Sequence, residues 1–389
     1  MKKFYLSATA FLFLALVALS QPPPGYYNGA SGLTGVGLKA ALHDIIKGHT
    51  EVDYSSLWIH FSSTDKKPNG KVWCMYSDLP GSPPPYEFTF TTDQCGSTSA
   101  TVEGACYNRE HSFPRSWYGS GGNTTMPMYA DLHHLYPTDA WVNSLRSYYP
   151  FGVVNNPTTT TRNGGELGPN ATAGYSGTVF EPIDAYKGDI ARTMFYMVTR
   201  YHDQVAGWPA GSTYGSLVLD GTSFPSFKKW YLDLMLLWHR QDPVSQKEID
   251  RNNAVFAIQN NRNPFIDNPE YANCIWATCI IEPQNHPTSL SVNAIRLSWT
   301  DATGPVLPTG YLVRMSQQGF AHIEAPTNGT PVANDHWNKN VPYGTQTVTF
   351  GQLIPGTTYY FKIFGYTGSG TDIKYKTDGP VPQTSQKTN

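Results

Sequence analysis

The chain lacks an excess of positive charge. Its formal net charge is −2, and residues 21–285 carry 18 Lys and Arg against 24 Asp and Glu, a balance of −6. That excludes a protein holding nucleic acid by bulk electrostatics. Any phosphate site must be a local cluster, for which Arg109, Arg115, Arg146 and Arg162 are the candidates. Beyond the first twenty residues there is no apolar stretch long enough for a transmembrane helix, so no membrane partner is expected. Cysteine is scarce: five in 389 residues, so one thiol is left over in any pairing scheme. No internal repeat is visible.

What is there begins with Lys2 and Lys3, an apolar run over 11–19 too short to span a bilayer, and the small residues Ala18 and Ser20. This pattern reads as a secretory signal peptide over 1–20, so a soluble protein secreted to the periplasm or the exterior is expected; a monomer is expected as well. Export permits disulfides. Cys95 and Cys106 flank a short polar stretch and are the expected bridge. Cys274 and Cys279 are close enough to close a small loop, with bridged and reduced forms on equal footing, which leaves Cys74 as the free thiol.

Plentiful aromatics with much Gly and Pro suit a loop-rich globular protein, long enough for two domains. Helical spacing of apolar residues starts at 38–46 and returns over 184–202, over 227–240, the most apolar and expected buried, and over 245–261. In the last of these, Ser245 and Glu248 make a capping box. Residues 86–91 read as a short aromatic strand and 155–178 as an exposed polar loop. Near residue 285 the pattern becomes alternating and β-like, with short strands at regular spacing and turn signals between them. The division expected is therefore a first domain over 21–285 and a second over 286–389.

The most informative segment is Asn108-Arg109-Glu110-His111, continuing to Pro114-Arg115-Ser116-Trp117. In an extended strand Glu110 and His111 point in divergent directions. Phosphodiester hydrolysis needs that division: a base to activate water on one side of phosphorus, and a cation to neutralise charge on the other. Neutral His111 suits the first task, and the Glu110 carboxylate suits a hard cation. A second segment, Asp131-Leu132-His133-His134 followed by Val142-Asn143-Ser144-Leu145-Arg146, reads as strand, turn and a helix capped by Thr138 or Asp139. Asn143 and Arg146, three apart, share a helix face. Asn143 reads as a metal ligand, a surface amide or a capping group, and Arg146 as a bidentate phosphate grip. Adjacent His133 and His134 point apart on a strand and do not chelate one ion easily; one packed and one hydrogen-bonded or near substrate is the expectation. Lys187, Arg192 and Arg200 read as helix-surface charge that can touch a nucleic-acid backbone.

Together these stretches resemble the endonuclease I family, with further likeness at Phe180-Glu181-Pro182, at residues 186–192 and at residues 259–267. The resemblance runs from about residue 38 to residue 280. It implies an α+β fold, a ββα-metal (His-Me finger) nuclease core with extra helices. It also implies cleavage of DNA, and in some members RNA, with little sequence preference and 5′-phosphate products. The roles it implies are His111 as general base, Glu110 and Asn143 as ligands of one Mg2+ (Mn2+ or Ca2+ as substitutes), and arginines on the phosphate, for which Arg146, Arg109 and Arg115 stand; His134 is the histidine expected near substrate. Cys74 stands where that family leads us to expect Asp, which puts a local hydrogen bond in question. Residues 353–361 and Trp299 are similar to the strand corner and core tryptophan of fibronectin type III domains, so an all-β sandwich with no assigned ligand is expected there. The rival functions are a secreted ribonuclease of the same fold, and an adhesion or binding protein in which the sandwich acts and the first domain is inert.

Overall fold

The computed structural model describes residues 22–96, 100–118, 124–280, 282–304 and 306–388; the expected signal peptide lies outside them. The chain divides into two compact units, Met1–Ala277 and Thr278–Asn389.

The first unit is α+β. Helix α1 (Gly35–Ile46) and helix α2 (Leu57–Thr64) precede strand β1 (Tyr107–His111). Strand β2 (Leu135–Asp139) pairs antiparallel with it, so that Glu110 faces Tyr136 and His111 faces Leu135. Helix α3 (Ala140–Arg146) follows β2 without a linker, because the Asp139 carboxylate accepts from the Val142 N–H at 2.9 Å and caps it. The left-handed backbone of Ser147, φ 52°, ends it. The product is a strand–strand–helix unit that carries the Glu-His pair on one element and Asn143 on another. The second arm of the motif differs from its reading in one respect: Pro127–Ala130 is a 3-10 turn, and the strand begins only at Leu135.

Strands β3 (Thr159–Thr160), β4 (Glu166–Pro169) and β5 (Thr178–Glu181) form a small antiparallel sheet. It occupies the stretch expected to be loop, and its first turn closes through the Thr161 N–H on the Gly165 carbonyl. The expected strand over 86–91 is absent. Asp93 takes the Thr89 N–H with its side chain, and Thr91 turns the chain at φ 69°, so no ladder forms.

Helix α5 (Lys229–Gln241) is largely buried, as expected, and helix α4 (Lys187–Arg200) is buried along nearly its whole length. Its three basic residues are paired internally. Arg192 forks onto the Glu248 carboxylate, and Arg200 donates to His49 Nδ1 at 3.0 Å. Lys187 pairs with Glu181 and Asp184. None of the three is free surface charge. Helix α6 (Gln246–Gln259) starts with the capping box of Ser245 and Glu248 and ends at left-handed Asn260. Helices α7 (Pro264–Asp267) and α8 (Glu270–Trp276) close the unit.

The second unit is a β-sandwich. One sheet has the order β10 (Thr347–Thr349), β7 (Arg296–Thr300), β6 (Thr288–Asn293). The other runs β12 (Lys374–Tyr375), β11 (Thr358–Thr367), β8 (Gly310–Ser316), β9 (Asn338–Pro342), with β13 (Gln383–Lys387) also on β11. Trp299, Tyr311, Phe350 and Phe361 fill the core between them. The Tyr359 hydroxyl accepts the Ile354 N–H at 3.0 Å, tying the corner before β11 back on itself. Residues 282–284 are bonded within this unit: Glu282 accepts from Asn328, and the Gln284 N–H donates to Val306.

Cys95 and Cys106 form a disulfide just ahead of β1. Cys274 and Cys279 are also disulfide-bonded. Cys74 is the free thiol; it is buried, which pushes its pKa up to about 11. Its sulfur accepts the Asp139 N–H at 3.2 Å, so a hydrogen bond to the helix cap survives without an aspartate.

Candidate active site

A cleft of about 410 Å³ opens over β1 and the start of the chain beyond α3. Its walls include Asn108, Arg109, Glu110, His111, Arg115 and Asn143. Strand alternation sends Glu110 and His111 into different surroundings, as the dipeptide predicts. Glu110 meets Tyr76 and Arg146; His111 packs among the rings of Tyr54, Tyr129 and His134.

His111 is nearly buried, and its Nε2 lies 2.9 Å from the Tyr129 carbonyl. A carbonyl only accepts, so Nε2 carries the proton and Nδ1 holds the lone pair. Burial lowers the imidazole pKa well below its usual value, and neighbouring His134 lowers it further. The ring is therefore a neutral base with a fixed tautomer.

Glu110 is 2 % exposed. Burial raises its pKa, while the Arg146 guanidinium and the Tyr76 hydroxyl oppose the rise. Its Oε1 accepts from Tyr76 at 3.0 Å and from Arg146 at 3.2 Å, and Oε2 accepts nothing among the described residues. Asn143 is partly exposed, and its Nδ2 donates to Asn108 Oδ1 at 2.7 Å. That bond occupies the amide nitrogen, and the Asn143 oxygen accepts no hydrogen bond among the described residues. One charged and one neutral oxygen on the same cleft fit a hydrated hard cation, with water completing the shell. Among the described residues no three His, Cys, Asp or Glu side chains converge as a metal cage.

The four arginines separate. The Arg109 guanidinium sits over Tyr54, its carbon 3.8 Å from the ring centre, and donates to the Tyr54 carbonyl at 2.9 Å; it still lines the cleft. Arg115 is exposed beside it, near Tyr129. Arg162 sits over Tyr86 instead. Arg146 is fully buried beneath the site. It donates to Glu110, to the His111 carbonyl at 3.1 Å and to the Ser112 carbonyl at 2.6 Å. The reading of Arg146 as a phosphate grip is corrected accordingly. A shared helix face says nothing about depth, and this side chain runs inward to hold the Glu-His strand. His134 is corrected in the same way. It is fully buried and its Nε2 is bound to the Met128 carbonyl at 2.6 Å, so it backs the His111 ring and does not reach the cleft. His133 is also buried, against Tyr196 and the Asn261 carbonyl. Both histidines precede β2 in a turn, and they serve separate partners.

Three contributors were not foreseen. Asn108 was signalled by alternation, since it stands two residues before Glu110 and so on the same face. Tyr54 and Tyr76 lie far upstream, and nothing in their local sequence marks them.

The sequence profile of the family described as Endonuclease I matches residues 34–270, and that of the fibronectin type III domain matches residues 282–377. The chain is 36 % identical over 268 residues to a protein of Bacillus amyloliquefaciens named extracellular ribonuclease, covering 67 % of this chain and 81 % of the relative. It is 35 % identical over 260 residues to the protein of that name in Bacillus subtilis (strain 168), covering 64 % and 78 %. A protein named endonuclease-1 from Buchnera aphidicola subsp. Baizongia pistaciae is 28 % identical over 144 residues, covering 37 % of this chain and 47 % of its own. The matched stretch holds every residue of the cleft, and the chain is a nuclease of the endonuclease I family that carries a fibronectin type III domain behind it.

Proposed function

We propose that this protein is a secreted, monomeric His-Me finger endonuclease that hydrolyses the phosphodiester bonds of DNA, and of RNA, with little sequence preference and leaves 5′-phosphate ends. The observation that carries this is the neutral His111 imidazole with its proton fixed on Nε2, sharing one cleft with unshared oxygens of Glu110 and Asn143. His111 Nδ1 takes a proton from water as the water oxygen attacks phosphorus; the bond from phosphorus to the 3′-oxygen breaks, and that oxygen leaves with a proton from solvent. Arg109 and Arg115 hold the phosphate. Arg146 keeps the Glu-His strand in register from below, as a positioning residue. Glu110 and Asn143 would hold one Mg2+, or Mn2+ or Ca2+ in its place, and such an ion neutralises charge on the phosphate and on the leaving oxygen.

RNA has support of its own, because the two Bacillus relatives are named extracellular ribonucleases. Those names and the disulfides also support secretion. The test is digestion of plasmid DNA and of a long RNA by the mature protein, with Mg2+ and with EDTA, followed by end analysis. Cleavage of at least one, lost in EDTA and restored by Mg2+, is expected. Undiminished cleavage in EDTA would refute the metal assignment. Inertness toward both would leave the sandwich as the working part.

A further inference from the structure

Tyr148 lies just past α3 and lines the cleft with Asn143. Its ring stacks on Tyr214, with centroids 3.6 Å apart and planes at 23°. Tyr214 is 37 % exposed, so this pair is not core packing. Both tyrosines are nevertheless fixed, and to the same element, the 3-10 turn Arg115–Trp117 that continues from the Glu-His strand. The Trp117 indole N–H donates to the Tyr148 carbonyl at 3.0 Å. On the other side, the Ser212 hydroxyl donates to the Ser116 carbonyl and accepts the Gly215 N–H at 2.9 Å. A Cβ on Gly215 would come within 2.5 Å of the Trp117 carbonyl oxygen, so this approach is open only to glycine. Two segments distant in sequence thus converge to hold a half-exposed aromatic pair beside the catalytic strand.

We propose that Tyr148 and Tyr214 form a nucleobase-stacking subsite for a nucleotide next to the scissile phosphate, a role that rests on the phosphodiesterase reading of the cleft. The cleft's charged groups can hold sugar-phosphate, but they offer a base nothing flat. The Tyr54 ring is unavailable, since Arg109 covers it at 3.8 Å. Tyr148 gives one face to Tyr214 and still borders the cleft. Stacking on aromatic side chains accepts any base, because every base has a π-face, which agrees with low sequence preference. A base inside a duplex has both faces covered by its neighbours. Only an unpaired base can use the platform, so the subsite favours single strands and frayed or looped segments.

The test uses the full-length protein with Mg2+ and three substrates: oligothymidylate (oligouridylate if RNA is turned over faster), a chain of the same length carrying abasic sugars throughout, and a duplex. Wild type should show a KM for the base-bearing single strand about 5- to 150-fold lower than for the abasic chain, the range that alanine substitution of a stacking residue spans. Tyr214→Ala should raise the KM for the single strand towards the abasic value without raising the abasic KM further. Because Tyr214 is exposed, this variant should fold, which an unchanged melting temperature would verify. Tyr148→Leu should act in the same direction. A wild-type KM that ignores the bases, or a base preference that survives in Tyr214→Ala, overturns the subsite while leaving the nuclease reading intact. Failure of wild type to cleave any of the three overturns both.

Discussion

Replacing Arg146 with Met should destabilise the first unit severely, because three of its contacts are made where water does not reach. The guanidinium neutralises Glu110, itself 2 % exposed, and ties down the carbonyls of His111 and Ser112. Removing one partner of a buried ion pair costs about 3–5 kcal/mol, since the other charge is left uncompensated. For a unit of this size each kcal/mol lowers the melting temperature by about 2–4 °C, so a fall of about 6–20 °C is expected in a thermal scan of the truncated or whole protein. The Met side chain still fills the space against Phe151, over which the guanidinium sits at 4.3 Å, so a cavity does not account for the loss. Adding Glu110→Gln in the Arg146→Met background should recover part of it by removing the stranded charge, with a coupling between the two sites above about 1 kcal/mol in a double-mutant cycle. Activity should fall in Arg146→Met together with a weaker Mg2+ response, as Glu110 loses its anchor. A variant that melts within about 3 °C of wild type and differs from it only in KM for nucleic acid would refute this reasoning and return Arg146 to the phosphate.

Four further outcomes are expected. His111→Ala should lose about a hundredfold or more in turnover while its circular dichroism remains that of the folded protein; near-normal turnover would remove His111 as the base. Glu110→Ala should bind Mg2+ more weakly in a calorimetric titration and regain part of its activity at high Mg2+; wild-type affinity would show that the oxygen set is wrong. A chain ending at Pro283 keeps both Cys274 and Cys279 and should cleave short substrates at the full-length rate; a folded but inactive product would mean that the sandwich completes the site. Lys39 is fully buried, and burial lowers its pKa from 10.5 to about 7. Between those values only the unfolded chain binds the proton, so stability should rise as pH increases above about 7, by up to about 1.4 kcal/mol per unit. Lys39→Met should flatten that rise in melts between about pH 7 and 9.5, and an unchanged slope would assign it elsewhere.

The site was legible where chemistry and local period coincide. Glu110 and His111 announce themselves by residue type on a strand. Asn143 follows from a capped helix directly behind the second strand, and Ser245 with Glu248 marks a helix start by spacing alone. Depth was not legible. Helical spacing placed Arg146 beside Asn143, but whether a long side chain reaches out to substrate or in beneath a strand depends on packing by Trp117 and Phe151, which the helix does not encode. The same limit hid the burial of Arg192, whose partner Glu248 lies two helices away. Residues 86–91 have strand composition, yet the side chain of Asp93 took the N–H that a ladder needed.

The sparseness of cations at the cleft has a consequence for where such an enzyme can work. Each phosphate contact releases counterions, and binding weakens with salt in proportion to the number of contacts. Two arginines, Arg109 and Arg115, border this cleft in a unit whose overall balance is acidic. Two contacts imply a slope near −1.8 in log affinity against log salt, so a fourfold rise in ionic strength weakens nucleic-acid binding by only about twelvefold, where six to ten contacts would forfeit about three to five orders of magnitude. Grip is traded for tolerance: binding held by so few phosphate contacts changes little with salt, so cleavage should persist over a wide range of ionic strength.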